Sequence, residues 1–271
     1  YAQADLKYDR FNISAGGRIE GNKLDNEKGD PVPVFRTGVN YALTGTTNIR
    51  ASYGQGYRYP SIAEKYVRTQ VGNIVIYPND SVESETGWSA EIGLQQGFKI
   101  SNFKGYADAA AFVNRYSNMM EFTFGAYGNP ATDPLFGLGF RSVNVGNTRI
   151  SGIDLTLAGD GNIGLTPLSM LVGYTYIDPI QTDFDPAKDT ILNSSTENVL
   201  KYRYRHLFKA DVQVGIGNFS IGGSSRFYSY MENIDKPFLI FIPGIKHYRD
   251  THPKGNWVFD ARISYRLDKS L

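Results

Sequence analysis

His206, His247 and His252 are the only histidines in the 271-residue chain, and cysteine is absent. Disulfide scaffolds, zinc–cysteine sites and thiol nucleophiles are therefore excluded. His247 and His252 have only Asp250 as a nearby carboxylate, and no Ser-His-Asp or metal-ligand spacing recurs. The plain reading is surface-loop histidines; the sharper one is ligand contact by His247. Asp183, Asp185 and Asp189 could suggest calcium, but they lack the regular spacing and the glycine of a calcium loop. Gly215 to Gly223 is glycine-rich, yet no helix start follows it, so it is not a phosphate cradle. No cofactor, metal site or catalytic residue is expected.

Arginines and aromatics remain. Arg58 and Arg68 could offer their guanidinium forks to an anionic ligand. A structural bridge from Arg58 to neighbouring carboxylates is an equal reading. Tyr66, Tyr77, Phe124, Tyr127, Phe136, Tyr228, Tyr230, Phe238 and Phe241 stand in or beside long connections. Their aromatic surfaces suit a flat, greasy ligand, or they pack the loops on one another. Phe238–Gly244 is unusually apolar for a loop. It could rest on neighbouring loops or meet a surface outside the chain.

The elements that must position these groups are strands. Helical periodicity is weak, while period-two alternation recurs, giving about ten strand candidates. The first runs from Lys7 to Gly21, the second from Val34 to Leu43 and the third from Arg50. The others centre on Trp88–Phe98, Phe103–Asn114, Arg141–Leu157, Leu168–Tyr176, Phe208–Ile216, Phe219–Tyr228 and Trp257–Leu267. Short turns fall near Thr44–Thr47, Lys99–Asn102, Gly159–Gly164 and Gly217–Asn218. Long loops fall near Asn22–Pro33, Tyr59–Glu85, Gly125–Gly139, Asp178–Tyr202 and Asn233–Gly255. Every second connection is tight, as in a barrel with short turns on one side of an outer membrane and long loops on the other.

The two faces of the strands decide the orientation. One carries Arg50, Glu91, Lys104, Asp108, Asp154, Lys209, Asp211, Arg226, Asp260, Arg262 and Arg266. In a dry core each unpaired charge would cost several kcal/mol, on the order of the desolvation penalty, whereas a wet lumen spares it. The other face carries small and apolar residues ending in aromatics, such as Tyr53 with Tyr57, Trp88 with Phe98 and Trp257 with Tyr265. That pattern suits a lipid band between aromatic girdles. A mean hydropathy of −0.34 does not oppose this, because only alternate residues meet lipid. A net charge of +1 gives no electrostatic ground for a nucleic-acid partner.

Arg36–Thr44, Ile49–Tyr66, Val82–Leu94, Asn144–Leu155 and Trp257–Leu267, in that order and spacing, resemble the barrel of a TonB-dependent outer-membrane receptor of the Bacteroidetes style. The resemblance covers the chain from about Val34 to Leu267, and its strength lies in the order of weak motifs. Such receptors close about 22 strands around a plug domain. It implies an all-β, antiparallel transmembrane barrel, with this chain an incomplete arc: residues 1–271 as a C-terminal portion, the plug and N-terminal strands absent. Implied partners are the TonB complex through that plug, outer-membrane lipid, the remainder of the same receptor and a surface lipoprotein.

The function implied is not enzymatic. It is TonB-linked import of a scarce nutrient, foremost a ferric siderophore, across the outer membrane of a Gram-negative bacterium. Tyr57–Pro60 and Pro78–Glu85 loosely resemble boxes of haem receptors in this family, but no histidine lies between them. Haem or another nutrient is the alternative within the family; a passive channel or structural barrel is the alternative outside it. An outer-membrane protease would need an acidic and histidine cluster at the rim, and the sequence offers none. Expected ligand contacts are Arg58, Tyr66, Arg68, Tyr77, Tyr127, Tyr228, Tyr230 and His247. Expected lumen or plug contacts are Arg50, Glu91, Asp108, Asp211, Arg226, Asp260 and Arg262.

Overall fold

The computed structural model describes residues 1–24, 27–187 and 197–267. In chain order the strands are β1 (Ala2–Tyr8), β2 (Phe11–Glu20), β3 (Lys23–Leu24), β4 (Glu27–Lys28), β5 (Val32–Ala42) and β6 (Thr47–Arg58). Then come β7 (Thr69–Val71), β8 (Ile74–Tyr77), β9 (Glu85–Ile100), β10 (Asn102–Ala126) and β11 (Leu138–Ile163). The last are β12 (Thr166–Gln181), β13 (His206–Ile216), β14 (Phe219–Tyr228) and β15 (Asn256–Tyr265). The main path is an antiparallel meander in the order β1-β2-β5-β6-β9-β10-β11-β12-β13-β14-β15. Here β1 and β15 have a partner on one side only, so the sheet is open.

The expected loop alternation is observed, with one strand more than expected. Lys7–Gly21 is not one strand, because the chain reverses at Asp9–Arg10, where Asp9 adopts φ 48°, and β1 pairs back on β2 from Tyr8↔Phe11 to Ala2↔Gly17. Asp tolerates this left-handed geometry through its short polar side chain. The turn expected at Gly159–Gly164 lies later, at Gly164–Leu165, since β11 continues to Ile163 in register with Thr166. Both β10 and β11 run well past the length that a bilayer needs, about 9–11 residues per strand. Their outer halves form a hairpin standing above the membrane band.

The register confirms the two faces. Ile92, Leu94, Ile153, Leu155 and Leu157 lie on central strands and are all uncovered by protein. Trp257, Phe259 and Ile263 are likewise exposed. An uncovered apolar band on central strands calls for lipid, and that band is the apolar face expected from the sequence. On it, rings cover glycines of the next strand: Phe98 lies over Gly105 and Phe103 over Gly159, where a Cβ would stand 2.7 and 2.6 Å from the ring. Phe98 and Phe103 themselves stack at 6.2 Å.

The outer end is a packed layer. Its apolar centre is Met119, Val145 and Leu200, with Tyr116, Val143 and Ile150 against it. The apolar segment expected as loop is in part a short helix, Lys236–Phe241, started by Pro237 near its N-terminus. Phe238 meets Phe140 at 5.7 Å and Tyr202 at 6.3 Å, while Ile240 stays exposed. A second helix, Ile245–Thr251, carries His247.

Candidate functional site

The charged groups of the polar face find one another. Arg50 on β6 stands opposite Gly93 on β9. Its Nε donates to Glu91 at 3.0 Å, and its Nη2 donates to Asp108 on β10 at 2.9 Å. To reach β10 the guanidinium passes over Gly93, where a Cβ would lie 2.6 Å from Cζ. The same device recurs in β15. Arg262 lies over Gly222 of β14 and grips Asp211 of β13 through Nη1 and Nη2, at 2.7 and 2.6 Å. Lys209 lies over Gly173 in the same manner. Arg226 donates to Asp260 at 2.7 Å, and Ser224 donates to the same carboxylate at 3.0 Å. The seven residues expected as lumen or plug contacts thus join three ion-pair groups within the wall.

Above these pairs, the polar face holds a cavity of about 590 Å³. Arg36, Arg58, Glu85 and Tyr116 line it, and Gly54, Gly56 and Gly87 give it a floor of backbone. A Cβ on Gly56 would meet nothing within 4 Å.

The expected ligand contacts separate into groups. Arg68, Tyr77 and Tyr127 come together. Arg68 donates to Asp133 at 2.7 Å and lies 5.2 Å from the Tyr77 ring centre; the Tyr77 hydroxyl donates to Asp133 at 3.2 Å. Tyr77 meets Tyr127 edge-on at 6.5 Å, and Arg141 covers the other ring at 5.5 Å. The Arg68 hydrogen bond, with the Asn129 backbone N–H, holds the Asp133 carboxyl below its usual range. Tyr77 is buried, so it supports the cluster, while Arg68 and Tyr66 are exposed.

Arg58 takes the structural option. It pairs with Glu64, the N3 residue of α1 (Ile62–Tyr66). Ser61 and Glu64 form a reciprocal capping box, Ser61 N–H donating to the carboxylate at 2.7 Å. The Ser61-x-x-Glu64 signal for this helix was present in the sequence. Tyr228 packs on Tyr204 at 5.3 Å, and Tyr230 lies under Arg249 at 4.4 Å. His247 is exposed on its helix, apart from the other groups. Of the aspartate run, Asp183 accepts the Asn147 N–H at 2.9 Å, and Asp189 lies outside the described residues.

A further cluster escaped sequence reasoning because its members lie far apart in the chain. Lys201 and Asp235 are buried and paired at 2.8 Å, and the Tyr202 hydroxyl also donates to Asp235. Glu121 stands 3.8 Å from Arg203 in the same layer. Burial pushes the Glu121 carboxyl up, against the pull of Lys201 and Arg203 and with Asp235 and Glu85 adding to the rise. Burial also raises the Tyr202 phenol, and its bond to Asp235 adds to this.

The segments Pro78–Glu85 and Asn144–Asn147 interlock in this layer. Asn79 donates to the Ser142 carbonyl at 2.8 Å, Asn144 accepts the Glu83 N–H at 2.9 Å, and Glu85 accepts the Met120 N–H at 2.7 Å. These bonds fasten the long Tyr59–Ser84 connection onto β10 and β11. Its strand β8 adds in parallel to β11 at Gly139–Arg141.

Two outcomes follow. Gly93→Ala in the full-length receptor should lower its stability by about 1 kcal/mol, the scale of a part-exposed charged hydrogen bond. The urea midpoint in detergent reads this, and an unmoved midpoint would mean that the crossing of Arg50 adds nothing. For Glu121, the folded state holds its proton to higher pH than the unfolded chain. Its contribution is therefore most favourable below the ordinary carboxyl range and declines as pH rises through the interval above it. Glu121→Gln should gain stability over the parent progressively from pH about 4.5 upward. Limited proteolysis of the outer loops at several pH values measures it.

A family model described as TonB dependent receptor-like, beta-barrel, matches residues 1–271. No curated protein matches the chain. Among solved structures, the copper transporter OprC aligns with TM-score 0.63 at 16% identity, over 98% of this chain and 39% of that one. The ferric-catecholate import receptor Fiu from E. coli K12 gives 0.61 at 19%, over 97% and 37%. A double mutant of the Serratia marcescens hemophore receptor HasR, in complex with its hemophore HasA and heme, gives 0.62 at 14%, over 99% and 45%. At these identities the likeness speaks for the fold. The chain spans about two fifths of the length of these structures.

Proposed function

The chain belongs to the TonB-dependent receptor-like β-barrel family, and we propose that it is a C-terminal portion of the barrel wall of an outer-membrane importer in a Gram-negative bacterium. The open edges of β1 and β15 support completion of the barrel by other strands of the same receptor. The remainder also supplies a plug domain, through which the TonB complex delivers energy. The imported nutrient is a ferric siderophore, captured first at the outer loops, where Arg68 and Tyr66 are exposed. A surface lipoprotein is a candidate partner at the same loops.

The observation that carries this reading is the cavity in the polar face. Its glycine floor brings the backbone itself to the surface, and Arg36 and Arg58 line its walls. A wall in which Arg50, Arg226 and Arg262 are already paired with carboxylates offers a ligand or plug a wet, polar surface with much of its charge compensated. Such a surface holds a large cargo loosely enough to release it. The solved relatives named above for copper, ferric-catecholate and hemophore show that this fold serves several cargoes. Paired anionic oxygens on an aromatic frame suit the guanidinium and tyrosine side chains here.

Uptake of radiolabelled ferric siderophore by whole cells tests the proposal. Deleting the gene should abolish it, and unchanged uptake would remove the siderophore reading. Gly56→Trp in the full-length receptor fills the cavity from a position with open space. It should reduce uptake about tenfold, equivalent to about 1.4 kcal/mol of lost binding, while heat-modifiable gel migration still reports a folded barrel. Uptake at the parental rate by that variant would mean that cargo does not pass this wall.

A further inference from the structure

Among the ion pairs of the described residues, only Lys201 with Asp235 has both side chains buried, at 3% and 0% exposure. Desolvation penalises both charges, and their attraction offsets this only where the contact is close and the remaining polar atoms are satisfied. An amide between the two side chains would remove both charges and release one water. A lysine amine and a carboxyl group are the nucleophile and the electrophile that such a bond needs.

The surrounding chain holds the two groups for that reaction. Lys201 lies in the connection from β12 to β13, and Asp235 in the one from β14 to β15. The Tyr202 N–H donates to the Asn233 carbonyl at 2.9 Å, and the Asn233 side-chain amide donates to the Val199 carbonyl at 2.6 Å. These bonds lay residues 199–202 beside 233–235. The Lys201 ammonium donates to Oδ1 of Asp235 at 2.8 Å, while the Tyr202 hydroxyl donates to Oδ2. Each carboxyl oxygen thus has its own donor. Fixing two reactants in contact replaces much of the barrier of a bimolecular step. The hydroxyl at Oδ2 stabilises the negative charge that develops there as the nitrogen attacks. Tyr202 keeps its proton for this role, because burial and the bond to Asp235 both raise its phenol. The Phe238 ring stands 6.3 Å from Tyr202, with Phe140 5.7 Å beyond it, so aromatic side chains wall this side of the site.

We propose that Lys201 and Asp235 become joined by a spontaneous isopeptide bond after folding. Nζ bonds to Cγ of Asp235 and the Cγ–Oδ1 bond breaks. The two protons that the ammonium loses leave with Oδ1 as water. Oδ2 remains as the amide carbonyl, still held by the Tyr202 hydroxyl. The step is a condensation, with no change of oxidation state and no outside reactant. The bond ties two long outer connections across 34 residues of chain, as a disulfide would in a protein that had cysteine. It is independent of which nutrient is imported.

Tryptic peptide mass spectrometry of the full-length receptor, purified from outer membranes, tests this. The peptides holding Lys201 and Asp235 should appear joined, one water below their summed mass, with no cleavage after Lys201. Asp235→Asn should give the same joined peptide with loss of ammonia in place of water, and Lys201→Arg should give none. Tyr202→Phe should slow the joining about a hundredfold in pulse-labelled cells. Heat-modifiable migration reports that each variant is folded. Separate peptides in the parent, cut after Lys201, overturn the proposal and leave a plain ion pair. Joining of Tyr202→Phe at the parental rate overturns the role given to its hydroxyl.

Discussion

A strand in hydrocarbon has no water to meet its backbone, so each N–H and C=O must be paired by a neighbouring strand. The remaining features of this chain follow from that constraint. It forces an uninterrupted antiparallel meander from β1 to β15, and it makes the two outermost strands edges that need further partners. It also fixes the side-chain alternation. Once neighbours are in register, every second residue meets lipid and the others meet water, with no intermediate choice. Small turns at one end and long connections at the other are then the only places where the chain is free to vary.

Glycine solves one packing problem in two different solvents. On the polar face, removing a Cβ from Gly93 or Gly222 lets a guanidinium cross one strand and reach a carboxylate on the next. On the apolar face, the same omission at Gly105 and Gly159 lets a phenyl ring lie flat across a strand. The arginines so placed span three strands and the rings two, and both tie strands sideways. The groups differ because a charge keeps its hydration in a wet lumen, while a ring gains by leaving water.

The outer layer obeys another rule. Loops that fold onto the barrel end bury polar groups, and each of these needs a partner. Asn79 and Asn144 answer this by bonding backbone across long sequence distances, and Lys201 and Asp235 answer it as a buried ion pair. A buried pair is weak evidence for stability but strong evidence for a defined arrangement, since neither charge tolerates a wrong neighbour. The connections around it are therefore fixed structure at the rim, against which Arg68 and Tyr66 are displayed.

The sequence by itself determined the class of fold, the two faces and the alternation of short and long connections, because period-two patterning is local and recurs in each strand. It determined that Arg50, Glu91, Asp108, Asp211, Arg226, Asp260 and Arg262 share one face. It also held local signals that strand patterning overlooked, such as the reversal at Asp9 and the cap formed by Ser61 and Glu64. Only the tertiary structure decided which charges meet, since Arg50 reaches Asp108 solely because the register sets Gly93 between them. The same holds for Glu121, Lys201 and Asp235. Such pairings depend on register and loop placement, which are set by contacts between distant segments and leave no period in the chain.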